Sequence, residues 1–556
     1  MFGIYLVAMD RNCLACVSSL DKIFPNEGPS LYQDTYTAFV GEIFHYQIAA
    51  YSTELIENLQ IEIQSDIREY VKIRVVENLP SAFAVWKEKN DGYVIQNHGN
   101  NELYPELLRD VHLRGEDFRP NMWKTFWVTV EGAPIGEHTI SVRIHGTGFY
   151  EKLFDEETSY RLNVLDACLP KSDLIYTSWM HYDCICDKHN VEPYSEEFYK
   201  IAEQYVSSAV RHGLNMLFLP LFTPMLDIYQ GGYRKNVQLV KVRTNGDGYD
   251  FDFSETEKFM EWAIRQGVAY FELSPLASQW GAEYCPRIIA EKDGKEISLF
   301  GWTEKLPSES YKAFLRVFLR AFADFTNEKG YEDKIYFHIS DEPQEEALER
   351  FGFVKDILVE FFPNAKIMDA LSNGEFYRRG IINNPIVAID AYDDFHADWV
   401  YYSGCMRKKY CPNRHFSMPS LRNRVLGWLL YRNGTKGFLH WGFNYYYGGL
   451  SEYELDPYCT TDRGGCIESG DCCFVYPTKD GVLESLRHEV FFDAFQDYRA
   501  LKMLENSIGK EKTIGWLDEK GFKEGFSTYP RSDAEFLKIR LELNQKIMES
   551  KKIAED

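Results

Sequence analysis

The chain is 556 residues long, more than one domain usually holds, and its length points to two or three. A net charge of -24 excludes nucleic acid or an anionic membrane as a partner held by general electrostatic attraction. Aromatic residues make up 15% of the chain, which suits either stacking on flat, half-polar partners such as sugars or an aromatic-rich core.

In chain order, the apolar run 4–9 has no basic stretch before it and no clean small-residue cleavage site after it, so it does not read as a targeting segment. No apolar run reaches membrane-spanning length. The cysteines are scattered. Cys13 and Cys16 form the one C-x-x-C pair, and no second pair or histidine set stands at zinc-finger spacing. Free thiols in a reducing, cytoplasmic compartment are the simplest expectation. A disulfide between Cys459 and Cys466, or one involving Cys472, stays open.

Residues 1–168 read as a β-sandwich domain, from short alternating runs at 38–49, 59–64, 71–76, 123–130 and 138–144. Residues 169–505 alternate strands and helices. Strands are predicted at 174–179, 215–222, 268–273, 334–342, 366–371, 386–391, 400–404 and 437–444. Helices are predicted at 196–212, 254–266, 308–326, 345–362 and 421–431. This α/β pattern fits a (β/α)8 barrel of the TIM type, with units five to seven the least well marked. Residues 506–556 read as a charged helical extension, with an amphipathic helix over 535–548 expected to pack on one of the other parts.

Barrels carry their chemistry at the C-terminal ends of strands. Here those ends present Trp179, His181 and Asp183 after the first strand, and Asp341 and Glu342 after the fourth. Asp390, Tyr392 and Asp393 follow the sixth, and Trp441, Asn444 and Tyr446 the eighth. The fourth strand alternates, with Ile335, Phe337 and Ile339 on one face and Tyr336, His338 and Ser340 on the other. In a regular strand Asp341 would point away from Glu342, so one site can use both only if the chain ends or bends there, as Pro343 favours. Crowded carboxylates push their pKa values apart, which is expected to raise Glu342 beside an ionised Asp341. The alternative is that Ser340 or Asp341 caps the next helix. Carboxylates and aromatics on one rim are what a glycosidase needs.

The strand ending Ser340-Asp341-Glu342-Pro343 resembles the catalytic strand of glycoside hydrolase family 123. The C-terminal half resembles the related domain-of-unknown-function 4091 family. That second likeness rests on ordered short motifs: Arg424 to Trp428, Gly434 to Tyr445, Asp456-Pro457, Gly470-Asp471, Tyr476-Pro477, Ser485 to Glu489 and Asp493 to Leu501. The resemblance implies a sandwich followed by a barrel, and removal of terminal β-linked N-acetylhexosamine, N-acetylgalactosamine foremost, by a retaining, exo-acting, substrate-assisted route. It casts Glu342 as general acid/base and Asp341 as the group that holds the substrate's acetamide. The long loop 277–305 and the stretch Gly470 to Cys473 depart from the family pattern.

Substrate-binding roles are expected for Trp179, His338, Asp390, Tyr392, Trp441, Asn444 and Tyr446. Tyr392 would donate to the acetamide oxygen and Trp441 would stack on the ring. Arg424, Arg487 and Glu489 read as structural ion-pairing groups. The acidic run 390–394 lacks a calcium-loop spacing, and no metal or cofactor is expected. The expected partner is a glycan or glycoconjugate. Two other readings remain: a glycosidase for a sugar lacking the acetamide, with Asp390 or Asp393 as nucleophile, and a non-catalytic carbohydrate-binding protein.

Overall fold

The structure, a computed structural model, describes residues 12–82, 85–86, 90–95, 102–112, 116–148, 153–244, 248–372, 374–402 and 410–555. The run 4–9, Cys405 and the last two residues of the predicted strand 400–404 lie outside these.

The N-terminal part is two five-stranded sheets. One orders Cys13–Ser18, Phe44–Ser52, Met122–Val130, Val71–Ser81 and Glu102–Asp110. The other orders Thr35–Val40, Leu153–Cys168, Gly136–Gly148, Ile56–Gln64 and Glu116–Phe118. Their inner faces meet through aromatic pairs such as Tyr46 on Tyr160, with ring centroids 4.1 Å apart. The predicted run 38–49 is two strands in different sheets, because the chain turns at Gly41 with φ +74°. Leu153–Cys168 was not predicted. Its buried Phe154, Tyr160, Leu162 and Val164 are interleaved with exposed charged and polar residues, which dilutes the apolar signal.

The second part is built on eight parallel strands: Ile175–Ser178, Met216–Leu219, Tyr270–Leu273, Ile335–Tyr336, Ala370–Leu371, Ile386–Ala388, Trp399–Tyr401 and Gly437–His440. Side by side they run fourth, third, second, first, eighth, seventh, sixth, fifth, so the sheet curls until its edges are consecutive strands. One parallel bridge, Phe337 to Ile367, links those edges, with the Met368 N–H donating to the Phe337 carbonyl at 2.9 Å. The expected barrel is met in the number, direction and order of its strands. Among the described residues its helices are not all present: only Glu375–Arg378 stands between the fifth and sixth strands, and turns alone join the sixth and seventh. The connection 389–398 is shorter than the roughly dozen residues a crossover helix needs, while 372–385 is long enough for its single helical turn. Two insertions form an unpredicted four-stranded sheet of Lys241–Thr244, Tyr249–Asp252, Ile288–Lys292 and Lys295–Phe300.

Helices Leu486–Ile508, Lys510–Glu519 and Asp533–Glu555 complete the chain. Two of the three ion-pairing expectations resolve into contacts between parts, those of Arg487 and Glu489, and that of Arg424 into a contact within the second part. Arg487 forks onto Glu106 of the first sheet at 2.9 and 2.6 Å, Glu489 pairs with Arg74, and Arg424 forks onto Asp497 at 2.9 and 3.0 Å. The eleven described cysteines, Cys459, Cys466 and Cys472 included, are free, so the disulfide left open by their spacing is not formed. Among the described residues no helix is long and apolar enough to cross a membrane.

Candidate active site

The predicted strand 334–342 is regular only over Ile335–Tyr336. Its alternation continues beyond that: Phe337 packs on Phe362 at 4.8 Å, on the helix side, while His338 turns inward. Glu342 then adopts a left-handed backbone, φ +43°, which non-glycine residues rarely hold. That turn brings its side chain into the same cavity as Asp341, as a continued strand would not. Neither Ser340 nor Asp341 caps a helix. Leu348–Phe361 starts later without a side-chain cap, and the Ser340 hydroxyl donates to the Ser278 carbonyl at 2.8 Å.

The cavity has a volume of about 170 Å³. Asp341, Glu342, Asp227 and Asp471 supply its carboxylates, and Trp179, Trp280, Tyr401 and Trp441 its main aromatic walls. Gln279 Nε2 donates to Asp341 Oδ2 at 2.8 Å, and the Trp280 N–H donates to the Asp341 carbonyl at 2.8 Å. The Tyr401 hydroxyl donates to Glu342 Oε1 at 2.6 Å. Burial, then the charge of Glu342, pushes the Asp341 carboxyl well above the usual carboxylate range. The sequence placed the raised pKa on Glu342, with Asp341 ionised. Burial favours the protonated form of Asp341, the member expected to be ionised. Asp227, Trp280, Glu342 and Arg463 all line the cavity with positive φ, at 53°, 64°, 43° and 58°, so backbone strain gathers around it.

Beneath the cavity lies a buried network. His338 Nε2 donates to Glu272 Oε1 at 2.5 Å and its Nδ1 to Asp369 Oδ1 at 2.9 Å. Burial alone would lower this imidazole, but Glu272 and Asp369 outweigh it and raise His338 to about 10. Trp179 Nε1 and the Thr177 hydroxyl also donate to Glu272, at 2.7 and 2.6 Å. The network ties the first, third, fourth and fifth strands together and fixes the Trp179 ring at the cavity wall.

Of the other predicted residues, Trp441 lines the cavity with its Nε1 donating to Asp471 Oδ2 at 2.9 Å. The remaining five do not line it. His338 serves the network. Asp390 is buried, close enough for its charge to act on the Tyr401 hydroxyl. Asn444 clamps the His181 backbone through both ends of its amide, at 2.8 and 3.1 Å. The Tyr446 hydroxyl donates to the Val475 carbonyl at 2.8 Å. Tyr392 packs on His396 and Phe526 and donates to the Asn433 carbonyl at 3.4 Å, whereas Tyr401 lines the cavity and reaches Glu342. Glu272 and Asp369 were findable as acidic residues inside apolar predicted strands. Asp227, Gln279, Trp280, Arg463 and Asp471 sit in loops, where no periodicity marks them.

Among the described residues, the one group with metal-ligand spacing is His212, Glu484 and Glu489. It lies where the two parts of the chain meet, and Arg74 already pairs with both of its carboxylates.

Residues 179–504 match the family model described as glycoside hydrolase 123, catalytic domain. Among solved structures, the chain is similar to a family 123 glycoside hydrolase from Clostridium perfringens studied for glycolipid glycan hydrolysis. That match has 15% identity, covers 98% of this chain and 100% of that one, and has a TM-score of 0.74, so the two share a fold. A termite-gut family 10 xylanase with a bacterial Ig-like domain aligns over 84% of this chain and 100% of its own at 10% identity. Its TM-score is 0.32, too low to carry an argument. No curated protein matches the chain.

Proposed function

This chain belongs to glycoside hydrolase family 123, and from that membership we propose a retaining, exo-acting enzyme that removes terminal β-linked N-acetylhexosamine, N-acetylgalactosamine foremost, by substrate-assisted catalysis. The observation that carries the proposal is the left-handed turn at Glu342, which directs two sequence-adjacent carboxylates into one aromatic-walled cavity. Glu342, oriented by Tyr401, gives its proton to the glycosidic oxygen as that bond breaks. The acetamide carbonyl oxygen attacks the anomeric carbon and closes an oxazolinium ring. Asp341 takes the acetamide N–H as a hydrogen-bond donor, and this favours the charged form against the burial that resists it. Water then opens the ring, losing its proton to Glu342. No enzyme nucleophile is needed, the exception to the usual two-carboxylate scheme. Trp441 and Trp179 supply ring faces for the sugar.

The sugar and the exo mode rest on the family resemblance. A route through a separate nucleophile is less well supported, since neither Asp390 nor Asp393 lines the cavity. A non-catalytic binder would have no use for a strained, intact carboxylate pair. We also read the curled sheet as a (β/α)8 barrel, with domains at 1–168, 169–505 and 506–556.

Glu342→Gln tests the acid role. Turnover of substrates with poor leaving groups should fall by about 10²- to 10⁴-fold, and that of activated aryl glycosides far less. Equal losses on both would overturn it.

A further inference from the structure

Asp227 and Arg463 line the cavity and have no part in the chemistry assigned to the pair. Asp227 lies in the loop after the second strand and Arg463 in the loop after the eighth, and their side chains are 10% and 8% exposed. Arg463 Nη1 donates to Asp227 Oδ1 at 2.9 Å, Nε to the Gly449 carbonyl at 2.6 Å and Nη2 to the Tyr445 hydroxyl at 3.3 Å. Three of the five guanidinium N–H donors are thus used. Asp227 Oδ2 has no hydrogen-bond partner among the described residues. The ion pair is also firmly placed: the Asp227 carbonyl accepts from Ser451 Oγ at 2.6 Å and the Tyr445 hydroxyl at 3.1 Å, and the guanidinium lies 5.3 Å from the centre of the Trp441 ring.

We propose that Asp227 and Arg463 form a clamp for the C3 and C4 hydroxyls of the terminal sugar, and so decide which epimer the cavity accepts. The inference rests on the cavity being the site of the terminal N-acetylhexosamine. A carboxylate only accepts and a guanidinium only donates, while each hydroxyl does both, so an adjacent pair of hydroxyls satisfies the two together. Gln279 sets the register. Its Nε2 is on Asp341 and its Oε1 accepts from the Asp227 N–H at 2.6 Å. Asp341 addresses the C2 substituent, and the next positions round the ring from there are C3 and C4. Inverting C4 moves one hydroxyl off the clamp and leaves a buried polar group unpaired, the situation in which enzymes discriminate most strongly.

The test measures binding by calorimetry for methyl β-glycosides in two series, 2-acetamido and 2-hydroxy, each with and without the C4 hydroxyl. Wild type is compared with Asp227→Ala, and with Asp227→Asn should the alanine variant fail to fold. In wild type, removing the C4 hydroxyl should weaken binding by about 100-fold. In the Asp227 variant the same removal should cost less than about fivefold. Equal penalties in wild type and variant would make the pair a staple between two loops and overturn the clamp. A differential penalty confined to the 2-hydroxy series would keep the clamp and overturn the N-acetylhexosamine reading. Binding in neither series would overturn both.

Discussion

Asp341 is held at a cost that its amide would avoid. Its pKa is raised, so between the ordinary carboxylate value and the raised one the folded protein holds a proton that the unfolded chain has lost. Stability therefore falls as pH rises through that window, by about 1.4 kcal/mol per unit. Asp341→Asn lacks this slope. Melting curves should show the variant more stable than wild type at neutral pH, with the gap closing toward the ordinary carboxylate range, while activity on N-acetylated substrates collapses. A variant no more stable than wild type at pH 7 would mean that Asp341 is not strained by burial. At this scale Asp341, Glu342, Trp179 and Trp441 were legible, because each follows a strand whose pattern could be read. Tyr401 was not: it ends a strand only three residues long, and Tyr392, after the neighbouring strand, offered the same chemistry on paper.

At the scale of elements, helix Leu426–Arg432 lies so close to helix Leu486–Ile508 that a Cβ at Gly427 would stand 1.7 Å from the Ala494 carbonyl oxygen. Gly→Ala inside a helix ordinarily stabilises by about 1 kcal/mol. Gly427→Ala should reverse that sign and cost on the order of 3 kcal/mol or more, because backbone rather than a flexible side chain blocks the methyl. Thermal melting checks it, and a variant as stable as wild type would contradict the packing. Parallel strands with long crossovers, such as Met216–Leu219 and Gly437–His440, were legible from their apolar runs. The insertion sheet was not. Lys241–Thr244 and Lys295–Phe300 are short and partly exposed, and although each belongs to a local hairpin, the two hairpins join only across distant sequence, through Lys241–Thr244 on Ile288–Lys292.

For the whole molecule, Arg540 joins all three parts. It is fully buried in helix Asp533–Glu555, bonding Asp497 at 2.7 Å and Glu42, in the N-terminal sheets, at 2.8 Å. Arg540→Ala leaves two buried carboxylates short of their cation and should cost about 3–5 kcal/mol, read as a lower melting temperature, with kcat of the folded enzyme unchanged. Unaltered melting would mean that the C-terminal helix is dispensable. That such a helix would pack on the rest was legible from its amphipathic run; that it would bind both halves at once was not, since its partners lie roughly 500 and 40 residues away along the chain. The central proposal is that the substrate's own acetamide is the nucleophile. Its most direct test is turnover of aryl β-glycosides that differ only at C2 and C4. Cleavage of 2-acetamido sugars with little or none of their 2-hydroxy counterparts is the predicted result. Equal or faster cleavage of the 2-hydroxy sugars would contradict it.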